Sequence, residues 1–217
     1  MSGAAHGAHR VPSLFPTTVV GSLPRPLWLK RLFDGVHEGR VSNEERERLV
    51  DKEIRAKYKD PDAEAMHCVS LINRVFEGVK GTRRAVHLCR RNKGRRGWVG
   101  EGSYDALMPA LRVLAVDQLM MEFTIPVAGD TRCLRELPDA VGIGLGCVDC
   151  RGEVIDEPET IVARVEHAME HVDKRRITLA PDCGFAPGNA SDIPVDEAYA
   201  KLHNMVRAAA ILRAKHG

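Results

Sequence analysis

Two side chains able to hold a metal lie two residues apart in Ala85-Val86-His87-Leu88-Cys89. The stretch reads as a short buried strand, and side chains of a strand alternate faces, so His87 and Cys89 point the same way. An imidazole beside a thiolate is half of what a tetrahedral zinc ion takes. Glu122 closes the apolar run Gln118-Leu119-Met120-Met121, where a carboxylate is costly to bury unless it is paired or bound to metal. Cys183, in Pro181-Asp182-Cys183-Gly184-Phe185, adds a second sulfur. His87, Cys89, Glu122 and Cys183 could therefore form an N, S, O, S shell drawn from three strands. If the glutamate gives way to an incoming thiol, the metal becomes a Lewis acid that holds a thiolate at neutral pH.

Other residues compete for chemistry. Cys147-Val148-Asp149-Cys150 is a C-x-x-C element that would bind zinc or cycle as a dithiol, but no second such pair accompanies it and it ends a strand rather than opening a helix. His167 and His171 are four apart and share a helix face; with no third ligand in the local sequence they read as an exposed flank. His67 and Cys68 lie on an amphipathic helix and read as structural, and Cys133 as a packed thiol. The basic run Arg90-Arg91-Asn92-Lys93-Gly94-Arg95-Arg96 fits either the mouth of a site for an anionic substrate or a solvated loop.

The elements that must position these residues alternate between strand and helix. β-branched residues at 14–20 predict a strand that ends in the turn Gly21-Ser22, whose backbone amides could hold a carboxylate. Helices are expected over 27–36 and 42–58. Asp60 as N-cap and Pro61 at the first position predict another over 61–79, and Pro109 a kink or restart within 104–114. Strands follow near 119, 143 and 179, with helices opened by Glu157-Pro158 and by Val195. The connections suit parallel strands, so the class is α/β, with a barrel or an open doubly wound sheet as alternatives. Ser22, His87, Cys89, Glu122 and Cys183 all fall at C-terminal strand ends, where both architectures place their sites.

Composition narrows the partners. Of 217 residues, 32 are basic and 30 acidic, for a net charge of +2, so neither a nucleic-acid nor a membrane partner is indicated. No apolar run approaches the ~20 residues that span a bilayer. Six cysteines in a chain with no signal-like N-terminus point to a reducing cytoplasm. Residues 1–13 are expected to be a disordered tail and 14–217 one domain.

Taken in order, Phe15-Pro16-Thr17-Thr18-Val19-Val20-Gly21-Ser22-Leu23-Pro24-Arg25, His87-x-Cys89, Glu122 and Pro181-Asp182-Cys183-Gly184-Phe185 resemble the C-terminal barrel of the cobalamin-independent methionine synthase family, most of all its short stand-alone members. The resemblance implies a TIM-type (β/α) barrel. It implies zinc held by His87, Cys89, Glu122 and Cys183, and an amino acid bound at Val20, Gly21 and Ser22. The implied reaction moves a methyl group from a methyltetrahydrofolate to the thiol of homocysteine; no catalytic acid or base is assigned. Cys147 and Cys150 match no ligand of the family. Only about five of the eight βα units a closed barrel needs can be counted, and the family's second to fourth units are expected to be missing between Tyr58 and Asp60, with the Asp-Gly-Glu stretch they carry. Two alternatives follow: a catalytically impaired zinc-binding remnant, or a sibling alkyltransferase acting on another thiol. An opened barrel would leave sheet edges bare, which favours a homodimer.

Overall fold

A computed structural model describes residues 14–15, 60–100, 102–186 and 193–217. The predicted strand near Val19, the helices over 27–36 and 42–58, the tail 1–13 and the expected break between Tyr58 and Asp60 lie outside the described residues, apart from Asp60 itself.

The described chain forms a parallel sheet of four strands in the order β1-β2-β3-β4. They are β1 (Ala85–Leu88), β2 (Gln118–Glu122), β3 (Gly142–Val148) and β4 (Ile177–Pro181). β2, β3 and β4 are buried along their whole length, the signature of a parallel sheet covered on both faces. Register runs Val86 to Leu119, Leu119 to Ile143 and Ile143 to Ile177. Each sequential strand adds beside the last, as in a barrel; a doubly wound sheet reverses direction at a switch point. No such reversal occurs among the described strands, as a barrel requires.

The helices follow their sequence signals. α1 (Pro61–Phe76) is capped by Asp60, whose carboxylate accepts from the amides of Asp62 and Ala63. The span 104–114 is shorter than one continuous helix: a 3-10 turn over Asp105–Leu107 passes into α2 (Met108–Leu111), so Pro109 restarts the helix at its first turn, where a missing N–H costs nothing. α3 (Pro158–Met169) buries Ile161, Val162, Val165 and Ala168 against the sheet. α4 (Val195–His216) packs on α3 and buries Met205, Ala208, Ala209 and Leu212. Its Arg213 donates to the carbonyls of Leu14 and Phe15, and Phe15 is fully buried in the core. No helix of the described residues is long and apolar enough to cross a membrane.

Candidate metal centre

The C-terminal ends of β1, β2 and β4 converge. Ligand atoms of His87, Cys89, Glu122 and Cys183 all lie within 4.8 Å of one another. β1 ends at Leu88, so Cys89 stands one residue beyond the strand, yet its sulfur reaches that of Cys183 at 3.7 Å. Cys183 and Glu122 are buried, and Cys89 is exposed. The shell expected from the sequence is therefore brought together in space.

Strand register prepares His87 as a ligand. His87 pairs with Met120, and its Nδ1 lies 3.2 Å from the Met120 carbonyl. A carbonyl can only accept, so Nδ1 carries the proton and Nε2 keeps its lone pair, the tautomer a metal-binding histidine takes. That Nε2 is buried without a hydrogen-bond partner, and the nearest Glu122 oxygen is 3.8 Å away, beyond hydrogen-bonding reach. An orphaned buried lone pair beside two sulfurs and a carboxylate is the environment an ion would satisfy.

The loop after β1 supplies donors to the cluster. Arg91 adopts a left-handed conformation, φ 59°, uncommon for a residue with a side chain. The turn allows the Arg91 amide to donate to Cys89 Sγ at 3.3 Å and the Arg90 amide to Glu122 Oε1 at 2.9 Å. Cys183 and His87 also favour charge on Cys89 against the cost of burial, and its thiol is held well below the ordinary range. Cys183 is pushed the other way, first by its contact with Cys89 and then by burial. The metal-free pair thus shares one proton. Burial opposes charge on His87, but Cys89 and Glu122 together raise its affinity for a proton.

Glu122 is held from both sides. Its Oε2 accepts from Arg151 Nη1 at 2.8 Å, and neither side chain is open to solvent. Arg151 also pairs with Asp182, and its Nε lies 3.2 Å from Asp149. Asp182, beside Cys183 in sequence, accepts from the amides of Phe123 and Thr124 at 3.1 and 3.2 Å. Tyr104 donates to the Leu88 carbonyl at 3.4 Å and accepts from the Glu122 amide at 2.9 Å. Asn92 donates to Cys150 Sγ at 3.2 Å and to the Gly184 carbonyl at 3.0 Å, tying the loop after β1 to the loop after β4. Arg151 and Tyr104 gave no signal in the sequence, Asn92 only as part of the basic run and Asp182 only within the motif around Cys183. The signal available for Asp182 was that of a carboxylate directly after an apolar strand, like Glu122.

Gly146 explains how close the strands come. It pairs with Glu122, and a Cβ there would lie 2.6 Å from the Met121 carbonyl and 3.0 Å from the Glu122 Cα. Only glycine fits beside this carboxylate.

The basic loop is largely built into the structure. Arg90 is buried, donates to the Gly102 carbonyl at 2.6 Å and stacks 4.5 Å from the centre of the Tyr104 ring. Arg95 pairs with Glu197 of α4. Cys147 and Cys150 are both buried, and burial pushes each thiol up to about 12; they stand as packed thiols outside the cluster. Val20, Gly21 and Ser22, expected to bind the amino acid, lie outside the described residues.

The fold and much of the chain match known proteins. A model of the family described as "Cobalamin-independent synthase, Catalytic domain" matches residues 98–211. The chain is 28% identical over 158 residues to a methionine synthase of Thermococcus kodakarensis, covering 73% of this chain and 41% of that one. It is 28% identical over 127 residues to the uncharacterized protein YxjG of Bacillus subtilis, covering 57% of this chain and 33% of the relative. The solved structure of a B12-independent methionine synthase from Shewanella sp. W3-18-1, in complex with selenomethionine, superposes with a TM-score of 0.58 at 20% identity, over 68% of this chain and 43% of that one. The chain spans less than half the length of each of these proteins. The matched family model covers just over half of the sequence, and the four sequential parallel strands belong to part of a (β/α) barrel: the chain belongs to the cobalamin-independent synthase family, in its catalytic domain.

Proposed function

We propose that His87, Cys89, Glu122 and Cys183 hold a zinc ion, and that the site serves methyl transfer from a methyltetrahydrofolate to the thiol of homocysteine, giving methionine. The observation that carries this reading is the orphaned Nε2 of His87, its tautomer set by Met120, facing two sulfurs and a carboxylate at the strand ends. Two thiolates, one imidazole and one carboxylate are a donor set that zinc accepts. When bound, the ion would act as a Lewis acid that keeps a substrate thiol ionised at neutral pH.

The chain's own residues divide the remaining work. Cys89 and Cys183 supply the permanent negative charge, and the Arg91 amide steadies Cys89. Arg151 and the Arg90 amide draw charge from Glu122, so the carboxylate would be a weak donor to a bound ion and the one that could give way to an incoming thiol. Arg151, anchored by Asp182, would hold the carboxylate of Glu122 if a bound ion released it. In the transfer the sulfur forms a bond to the methyl carbon, the bond from that carbon to N5 of the folate breaks, and the electron pair left on N5 takes up a proton.

Metal-free protein given zinc should bind about one ion per chain at this cluster, and His87→Ala and Cys183→Ala should lose it. Zinc-loaded chain incubated with homocysteine and a methyltetrahydrofolate should consume the folate and form methionine. A chain that holds no zinc under reducing conditions overturns the whole reading. One that holds zinc but turns nothing over leaves a second reading, a zinc-binding part of a barrel without the substrate pocket. The observation favouring that second reading is that the chain spans less than half of each relative. It also predicts a dimer on a sizing column, because β1 and β4 are the edges of the described sheet and bare edges pair.

A further inference from the structure

A second group of metal-capable side chains lies where the chain leaves α3. His167 and His171 are joined there by Asp130, which caps the 3-10 turn Thr131–Glu136. The two histidines had the i,i+4 spacing of a ligand pair and lacked only a third donor, and a residue 37 positions before His167 supplies it. Their Nε2 atoms face opposite oxygens of the one carboxylate, at 3.8 Å for His167 and 3.7 Å for His171. Both separations are too long for hydrogen bonds and only slightly wider than those between neighbouring ligands of one ion.

A second observation points to a ligand. The His171 side chain is 5% exposed, and its Nε2 is buried with no hydrogen-bond partner. A buried polar nitrogen aimed at a carboxylate it does not reach is costly unless something fills the gap. The surroundings favour a cation. His167 lies in the last turn of α3 and His171 two residues past its end, where the His167 carbonyl accepts the Glu170 amide and the Ala168 carbonyl accepts the His171 amide, and where the helix dipole attracts positive charge. Glu170 lies 3.7 Å from His167 Nδ1, the side on which a metal-bound histidine donates to a second carboxylate.

We infer that Asp130, His167 and His171 form a second metal site, for a divalent first-row transition ion such as zinc, cobalt or nickel, separate from the cluster at the strand ends. Two imidazoles among three donors select such an ion over magnesium or calcium, and three protein ligands leave a position for water. The inference does not depend on the proposed reaction. One group competes with the ion: Arg135 Nη2 lies 2.8 Å from His171 Nδ1. Because a guanidinium only donates, this contact puts the histidine proton on Nε2. Binding moves that proton to Nδ1 and turns the exposed Arg135 outward, so Arg135 opposes the ion.

The test is cobalt titration of the metal-free, tag-free full chain, read by equilibrium dialysis and by absorption. Wild type should bind one equivalent with an intense near-ultraviolet thiolate band and a second without it. His167→Ala, at a half-exposed position, and Asp130→Asn, which keeps a capping oxygen, should each weaken the second equivalent at least about tenfold and leave the thiolate band unchanged. Arg135→Ala should strengthen it. If the strand-end cluster binds nothing, the thiolate band is absent while the band-free equivalent still titrates, which sinks the proposed function and supports the second site. A wild type with no band-free equivalent, or one that survives His167→Ala at full affinity, overturns the inference.

Discussion

Arg151 is the most consequential single contact beneath the cluster, and Arg151→Met shows what it carries. Its guanidinium is 4% exposed and lies between Glu122 and Asp182, both 0% exposed. Burial pushes the Asp182 carboxyl from 3.8 up to about 6 despite the opposing Arg151 charge; at ~1.4 kcal/mol per unit, that already costs the native state about 3 kcal/mol at pH 7. Glu122 is likewise raised, first by burial, with the Arg90 amide and Arg151 resisting. Removing the cation strands two buried carboxylates, a loss of about 3–5 kcal/mol. At a urea dependence of ~2 kcal/mol per molar, the unfolding midpoint should fall by roughly 1.5–2.5 M at pH 7.5. The sign of the pH dependence follows from the raised values. A carboxyl that binds its proton more tightly when folded loses stability as pH rises from the unfolded value, near 4, through the folded one, near 6. The variant raises the folded values further, so its deficit should be small at pH 5 and grow towards pH 7.5. Urea unfolding of metal-free wild type and variant at both pH values measures it. A deficit below about 1 kcal/mol at pH 7.5, or one that does not change with pH, would refute the assignment of Arg151 as the counter-charge.

Three further outcomes follow from the same contacts. Tyr104→Phe removes the oxygen that accepts the Glu122 amide and should cost about 1–3 kcal/mol in urea unfolding, since a buried N–H is left unpaired. Gly146→Ala drives a methyl into the Met121 carbonyl and should destabilise by about 1–3 kcal/mol while weakening metal binding through displaced Glu122. In metal-free native protein at pH 6.5, iodoacetamide should alkylate Cys89 first: its thiol is exposed and held low, whereas burial raises Cys133, Cys147 and Cys150 to about 12. Peptide mapping reads the order, and zinc should protect Cys89.

The cluster was legible because its members obey strand periodicity. His87 and Cys89 share a face, and Glu122 is a charge at the end of an apolar strand, so each announces itself locally. Arg151 and Asn92 obey no local rule: they sit in loops, and their roles exist only once β1, β2 and β4 are side by side. Asp130 escaped for the same reason, because its partners are on another helix. The starts of α1, α3 and α4 followed their caps and prolines, α1 ended at Phe76 rather than at 79, and the expected helix at 104–114 broke because Pro109 needs a fresh first turn. The choice between barrel and doubly wound sheet rests on strand pairing and on the likeness to solved structures, which no single segment encodes.

On the proposed reading, the tightest metal site uses both cysteines with one imidazole and one carboxylate. X-ray absorption at the zinc edge, on full chain loaded with one equivalent of zinc, counts these donors directly. Two sulfurs at ~2.3 Å and two nitrogen or oxygen donors at ~2.0 Å are expected, with the sulfur signal lost in Cys183→Ala, which no longer holds the ion there. A shell without sulfur, or an unchanged sulfur count in that variant, would contradict that reading.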